Sequence, residues 1–168
     1  MKKFVLLVFA VMFVTGVMGQ EKRDWYIEKG LVKSFLNKKA PKLVVEEWVS
    51  AKADTAGKFI VLEFWKTNCN PCVKNMPHMN ELNKKFKQEV VFIALGSESA
   101  EKVKMTNWVK IIEFFIAVDT KMTTKQELGL RFVPHTLVID PKGIVRWEGG
   151  PENLTEEILQ EIIKKYKK

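Results

Sequence analysis

The chain has 168 residues, of which 46% are hydrophobic and 29% are charged, and its formal net charge is +8. These values are ordinary for a globular protein, exclude a disordered chain, and leave room for one domain plus an N-terminal appendage. The lysines are scattered, with clusters only at 37–39 and 164–168. We therefore expect a solvated basic surface and no nucleic-acid partner.

The first residues have the layout of a secretory signal peptide. A positive start at Lys2 and Lys3 is followed by an apolar run from 4 to 14 and by small residues just before Gln20. A membrane-spanning helix needs about 20 apolar residues, and this run is shorter. The sequence predicts a signal peptide over 1–19 that is cleaved from a periplasmic or otherwise exported protein. An uncleaved N-terminal membrane anchor is the alternative.

Residues 20–41 are predicted to form an N-terminal extension that precedes the main domain at 42–168. Its apolar side chains recur at roughly helical spacing, which predicts a helix ended by Pro41. They are Trp25, Ile27, Leu31, Phe35 and Leu36.

The main domain alternates between apolar strands and amphipathic helices. Strands are predicted at 59–65, 90–95, 114–118, 136–140 and 144–147, with a short edge strand as one reading of 43–49 and a loop at 51–58. Helices are predicted at 73–87, 100–110 and 121–128, and a last helix after Asn153 or Thr155. The order predicts an α/β fold: a three-layer sandwich with a mixed central sheet and helices on both faces.

The two cysteines, Cys69 and Cys72, are the residues most indicative of chemistry. A structural disulfide normally closes a longer loop, because closing a short one removes little entropy from the unfolded chain. They lie where a buried strand ends and a helix begins, and a helix N-terminus lowers the pKa of a thiol placed there. We predict Cys69 as the nucleophile and Cys72, one turn further in, as the resolving cysteine. Pro71 fits the first helical turn.

Two separated motifs carry a resemblance to a known family. The segment 63–72 reads EFWKTNCNPC and is followed by Pro77, and the segment 129–143 reads GLRFVPHTLVIDPKG. Over about 40–168 the chain resembles the exported TlpA/ResA-like thiol–disulfide reductases, which have a thioredoxin-like fold. The resemblance implies that the Val133–Pro134 bond is cis, that Pro134 lies against the cysteines, and that the Val133 backbone binds an extended substrate segment.

An acid in the middle of a buried strand, Glu63, stands out from the sequence alone. Burial is costly for a charged carboxylate, so its pKa should rise. The resemblance places Glu63 under the active site as the proton acceptor for Cys72, whereas a structural acid in a polar pocket is the alternative. Asn70 and Pro71, between the cysteines, are expected to tune the redox potential. Asn68, Asn70 and His135 depart from the family pattern.

The function predicted is reduction of disulfides in exported proteins, with a role in cytochrome c maturation as one candidate. The redox-active Cys69–Cys72 disulfide needs no further cofactor, a membrane protein should supply the electrons, and we expect a monomer. The alternative is a copper-binding metallochaperone that uses Cys69, Cys72 and His135, because soft thiolates suit Cu(I).

Overall fold

The structure, a computed structural model, describes residues 29–30 and 32–167. The predicted signal peptide and the first part of the predicted extension lie outside the described residues. Within the described part of the chain, no helix is both long and apolar enough to cross a membrane.

The centre of the fold is a six-stranded mixed sheet. Its strands, in chain order, are β1 Glu47–Trp48, β2 Phe59–Trp65, β3 Val90–Gly96, β4 Phe115–Val118, β5 His135–Ile139 and β6 Val145–Gly149. Their spatial order is β1-β4-β3-β2-β5-β6; β2, β3 and β4 are parallel, and the other pairs are antiparallel. The mixed sheet predicted from the sequence is confirmed, and so is β1 as an edge strand.

In the described part of the chain, five α-helices surround the sheet: α1 Asn70–Phe86, α2 Ala100–Lys104, α3 Trp108–Ile111, α4 Thr123–Glu127 and α5 Glu156–Tyr166. A short 3-10 helix, Pro151–Asn153, precedes α5. The acids of α5 lie in its first turn and its lysines in its last, which matches the helix dipole, and the Thr155 side chain caps its N-terminus.

Strand β2 separates two hydrophobic cores because its side chains alternate between the faces of the sheet. Val61 and Trp65 lie in the core that contains α1, α5 and the buried Cys72. Leu62 and Phe64 lie in the other core. A strand that is buried on both faces has a continuous run of apolar residues, and the limits of β2 could therefore be predicted from the sequence.

The predicted helix of the N-terminal extension is not present in its described part, residues 32–41. This segment instead runs along the β5–β6 hairpin: the Asn37 N–H donates to the Val145 carbonyl at 2.8 Å, and the Ala40 N–H donates to the Gly143 carbonyl at 2.9 Å. Val32 and Phe35 are buried in the second core. Burial against the sheet therefore outweighs a weak helical spacing, and the segment covers the face opposite α1.

The single helix predicted over 100–110 is two helices, α2 and α3. The break lies at Thr106, whose hydroxyl donates to the Val103 carbonyl at 2.7 Å and accepts from the Trp108 N–H at 3.3 Å. A threonine side chain that binds nearby backbone groups competes with helical hydrogen bonds, which accounts for the interruption.

Candidate active site

The cysteine pair lies at the N-terminus of α1, directly after the turn that leaves β2. Cys69 is the N-cap residue, with extended backbone angles (φ −101°, ψ 96°), and its sulfur accepts a hydrogen bond from the Cys72 N–H at 3.2 Å. Asn70 and Pro71 occupy the first helical positions and are exposed. A sulfur at this position faces the free amide groups and the partial positive charge of the helix end.

The two sulfurs form a disulfide, with an S–S distance of 1.99 Å and Cα atoms 5.3 Å apart. Their surroundings differ: Cys72 is fully buried in the core under α1, whereas Cys69 is partly exposed. Only the Cys69 side of the bond is therefore accessible to a large partner.

The loop before β5 approaches the same sulfur. The carbonyl oxygen of Val133 lies 3.7 Å from Cys69 Sγ. The Val133–Pro134 peptide bond is cis, and both residues are partly exposed. The structure therefore brings the 129–143 motif against the cysteine motif, although 64 residues separate Cys69 from Val133.

Glu63 is almost completely buried on the α1 face of β2, between Val61 and Trp65. It pairs with Thr136 in the β2–β5 register, and the Thr136 hydroxyl donates a hydrogen bond to Oε2. Oε1 has no hydrogen-bond partner among the described residues. Burial raises the pKa of Glu63 to about 8; the Thr136 hydrogen bond acts in the opposite direction, and the charge of Glu152 adds to the rise.

His135 lies on the other face of the sheet from Glu63. It pairs with Phe64 in the β2–β5 register, and the two rings stack with centroids 6.5 Å apart. Within residues 29–30 and 32–167, no group of three or more His, Cys, Asp or Glu side chains could hold a metal ion. Cys69, Cys72 and His135 do not converge, so the structure gives the copper-binding alternative no support.

Two residues near Cys69, Glu98 and Trp108, were not predicted from the sequence to contribute to the site. Glu98, in the loop after β3, accepts hydrogen bonds from the N–H and the hydroxyl of Thr67, two residues before Cys69. Trp108 donates its indole N–H to the Thr67 carbonyl at 3.0 Å. One signal was available: Glu98 follows the end of β3, and the carboxyl ends of parallel strands meet at one edge of a sheet.

Known proteins match this sequence and this fold. The AhpC/TSA family matches residues 35–148. The thiol-disulfide oxidoreductase ResA of Bacillus cereus is 35% identical over 173 residues, which cover 98% of each chain. The crystal structure of StoA from Bacillus subtilis superposes with a TM-score of 0.59 at 21% identity, covering 73% of this chain and 96% of that one.

A thiol-disulfide isomerase from Corynebacterium glutamicum has the same TM-score of 0.59 at 22% identity, covering 74% of this chain and 93% of that chain. The two structural matches show the thioredoxin-like fold, and the near full-length relative shows the family. The resemblance inferred from the two sequence motifs is confirmed. The chain belongs to the AhpC/TSA family of thioredoxin-like proteins and is a thiol–disulfide oxidoreductase of the ResA type.

Proposed function

We propose that the protein reduces disulfides in exported proteins, with Cys69 as the nucleophile and Cys72 as the resolving cysteine. The observation that carries this proposal is the asymmetry of the pair. Cys69 caps α1 and is partly exposed, and its sulfur accepts a hydrogen bond from the Cys72 N–H, whereas Cys72 is fully buried. Backbone N–H groups at a helix start favour a thiolate over a thiol.

The reaction is a two-step exchange. The Cys69 thiolate attacks one sulfur of the substrate disulfide; a Cys69–substrate bond forms, and the other substrate sulfur leaves as a thiolate that is then protonated. The Cys72 thiolate next attacks Cys69 Sγ, so that the Cys69–Cys72 bond forms and the first substrate sulfur leaves. Two electrons pass from the protein dithiol to the substrate, and the protein ends in the disulfide form seen here.

Glu63 is the candidate acceptor for the proton that Cys72 must lose. A buried thiol ionises poorly without a nearby base, because its thiolate is poorly solvated. Glu63 lies on the same face of the sheet as Cys72, its pKa is about 8, and its Oε1 has no competing partner among the described residues. A pKa close to the working pH suits a group that accepts and returns a proton.

Val133 and Pro134 are the candidate substrate-binding residues. The Val133 carbonyl lies beside Cys69 Sγ in the partly exposed loop before β5. An extended substrate segment can pair with such backbone groups by strand addition, which places its disulfide against Cys69. Asn70 and Pro71, exposed between the two cysteines, would set the redox potential of the pair.

The setting follows from the N-terminal sequence. A signal peptide at 1–19 would export the protein to the periplasm or its equivalent, where a membrane protein returns electrons to the Cys69–Cys72 disulfide. We propose that it acts as a monomer, on protein substrates of which apocytochrome c is one candidate.

Trapping tests the assignment of the two cysteines. Cys72→Ser should accumulate mixed disulfides through Cys69, because the resolving attack is removed, and the matched variant Cys69→Ser should accumulate few. More trapping by Cys69→Ser would reverse the roles.

The reduction potential of the Cys69–Cys72 pair tests whether the protein reduces or oxidises its substrates. The potential of a reductase should lie near the thioredoxin value of about −270 mV, and a value near about −120 mV would indicate an oxidant.

A further inference from the structure

The turn that presents Cys69 is held from outside by two other elements. Thr67 donates its N–H to Glu98 Oε2 at 2.6 Å and its hydroxyl to Glu98 Oε1 at 2.9 Å. Its carbonyl accepts the Trp108 indole N–H at 3.0 Å. The partners lie 31 and 41 residues away along the chain, so these contacts form only in the folded protein.

Glu98 is suited to this contact because its side chain is mostly buried and yet ionised. Burial by itself raises the pKa of Glu98, but hydrogen bonds from Lys102 and Thr67 outweigh burial and hold that pKa below its ordinary value. Lys102 Nζ lies 2.5 Å from Oε1. Charged acceptors form shorter and stronger hydrogen bonds than neutral ones, so both Thr67 donors are firmly bound.

We infer that Glu98 is a positioning residue for the reaction: by fixing Thr67, it fixes the Cys69 sulfur. Thr67 lies inside a single turn in which the Cys69 N–H bonds to the Lys66 carbonyl at 3.3 Å. A displacement of Thr67 therefore moves Cys69. The Cys69 sulfur contacts the Cys72 N–H at 3.2 Å and lies 3.7 Å from the Val133 carbonyl, and both distances depend on that placement.

The inference rests on the proposed function, in which Cys69 is the attacking thiol. It adds that the reactivity of this thiol depends on a carboxylate that need not touch the substrate. A merely structural role for Glu98 would lower the stability of the loop without changing the ionisation of Cys69. The pH profile of Cys69 reactivity therefore separates the two roles.

The test uses the reduced full-length protein in the Cys72→Ser background, where Cys69 is the single thiol, and iodoacetamide as the probe. Glu98→Gln keeps the size of the side chain but replaces two charged acceptor oxygens by one neutral acceptor, so the two Thr67 donors can no longer both bind as they do to the carboxylate. Removing the Glu98 charge by itself favours the Cys69 thiolate, so a midpoint that moves upward must come from displacement of the sulfur away from the Cys72 N–H. We expect this displacement to dominate, so that alkylation slows about tenfold near pH 7 and the midpoint of the pH profile rises by about one unit. The matched control, Glu101→Gln, removes an exposed carboxylate from the first turn of α2 and should leave the profile unchanged.

A double-mutant cycle gives a second measurement. Thr67→Val removes the hydroxyl donor and should shift the profile in the same direction by a smaller amount, which also covers the case in which Glu98→Gln folds poorly. Because both residues act through one contact, their effects should be less than additive. An unchanged profile in Glu98→Gln, an equal shift in Glu101→Gln, or full additivity would overturn the inference. If reduced wild-type protein is instead alkylated mainly at Cys72, the proposed function itself fails.

Discussion

Two of the three buried carboxyl groups among the described residues, Asp140 and Glu63, have opposite hydrogen-bonding environments. Asp140, at the turn between β5 and β6, is 2% exposed. Its Oδ1 accepts the N–H groups of Lys142 and Ile144 at 2.8 and 2.9 Å, and its Oδ2 accepts the Arg146 Nε–H at 2.8 Å. Burial raises its pKa, but these hydrogen bonds outweigh burial and hold the pKa of Asp140 below its ordinary value.

Glu63 is equally buried, at 1% exposed, but only the Thr136 hydroxyl bonds to it among the described residues, and its pKa is about 8. The difference shows how a buried acid can be assigned a role. Asp140 is saturated with donors and stays ionised, as expected of a structural acid, whereas Glu63 has one oxygen without a hydrogen-bond partner among the described residues and a pKa near neutrality, as we expect of an acid that exchanges a proton.

The largest effect should be the loss of stability on removing Asp140, both of whose carboxylate oxygens accept hydrogen bonds. Asp140→Ala leaves Arg146 and two N–H groups without their acceptor, so we expect a loss of about 3 kcal/mol in the free energy of unfolding. Urea unfolding of the oxidised protein measures this loss. The control, Asp54→Ala, removes an exposed acid that pairs with Lys58 at 3.1 Å and should change stability little. Equal losses of stability in Asp140→Ala and Asp54→Ala would show that Asp140 is not a structural acid.

Removing the carboxyl group of Glu63 should instead affect activity. Glu63→Gln keeps the size of the side chain but cannot accept the Cys72 proton, so resolution of the mixed disulfide should slow about 100-fold near neutral pH. Formation of the mixed disulfide by Cys69 should stay close to the wild-type rate and serves as the internal control. Stopped-flow turnover measures both steps. A variant that matches wild type across about pH 6 to 9 would make Glu63 a structural residue.

The pH dependence of stability should differ in sign between the two acids. The folded-state pKa of Glu63 lies above its ordinary value of 4.5, so the stability it contributes is complete below about pH 4.5 and is lost as the pH rises to about 8. The free energy of unfolding should fall over this range by up to about 1.4 kcal/mol per pH unit, relative to Glu63→Gln. Asp140, with a lowered pKa, loses its contribution only as the pH falls below 3.8. Parallel pH curves for wild type and Glu63→Gln, with the disulfide intact, would contradict the assignment.

Much of this contrast could be anticipated from the sequence, because it depends on local signals. The apolar run over 59–65 predicted β2 with its observed limits, and a lone acid inside that run predicted the buried Glu63. The cysteines at a strand–helix junction predicted that Cys69 lies at a helix N-terminus, where the structure has it as the N-cap residue. In each case one segment contains both the residue and its surroundings.

The missed features depend on contacts between distant segments. Residues 32–41 have helical spacing but form no helix, because backbone groups of this segment bond to Gly143 and Val145 in the β5–β6 hairpin. Glu98 reads as an ordinary loop acid until folding brings Thr67 against it. Neither contact can be predicted from the local sequence pattern, because each depends on the topology of the whole sheet.

The smallest expected effect concerns the environment of Glu63. Glu152 lies exposed in the 3-10 helix, where Asn75 Nδ2 donates to its Oε2 at 3.4 Å, and its negative charge contributes to the raised pKa of Glu63. Glu152→Gln removes this charge, so ionised Glu63 is less disfavoured and its pKa should fall, by about half a unit or less because solvent screens an exposed charge.

Carbon-13 NMR of the Glu63 carboxyl group gives the titration midpoint directly. Thr136→Val is the matched variant and should shift the midpoint in the opposite direction. It removes the hydrogen bond that lowers the pKa of Glu63, so the midpoint should rise. Salt separates the two causes, because about 1 M salt should abolish most of the Glu152 effect and leave the Thr136 effect in place. If Glu152→Gln leaves the midpoint unchanged at low salt, burial alone accounts for the rise, and the acid differs from Asp140 only in its missing hydrogen-bond donors.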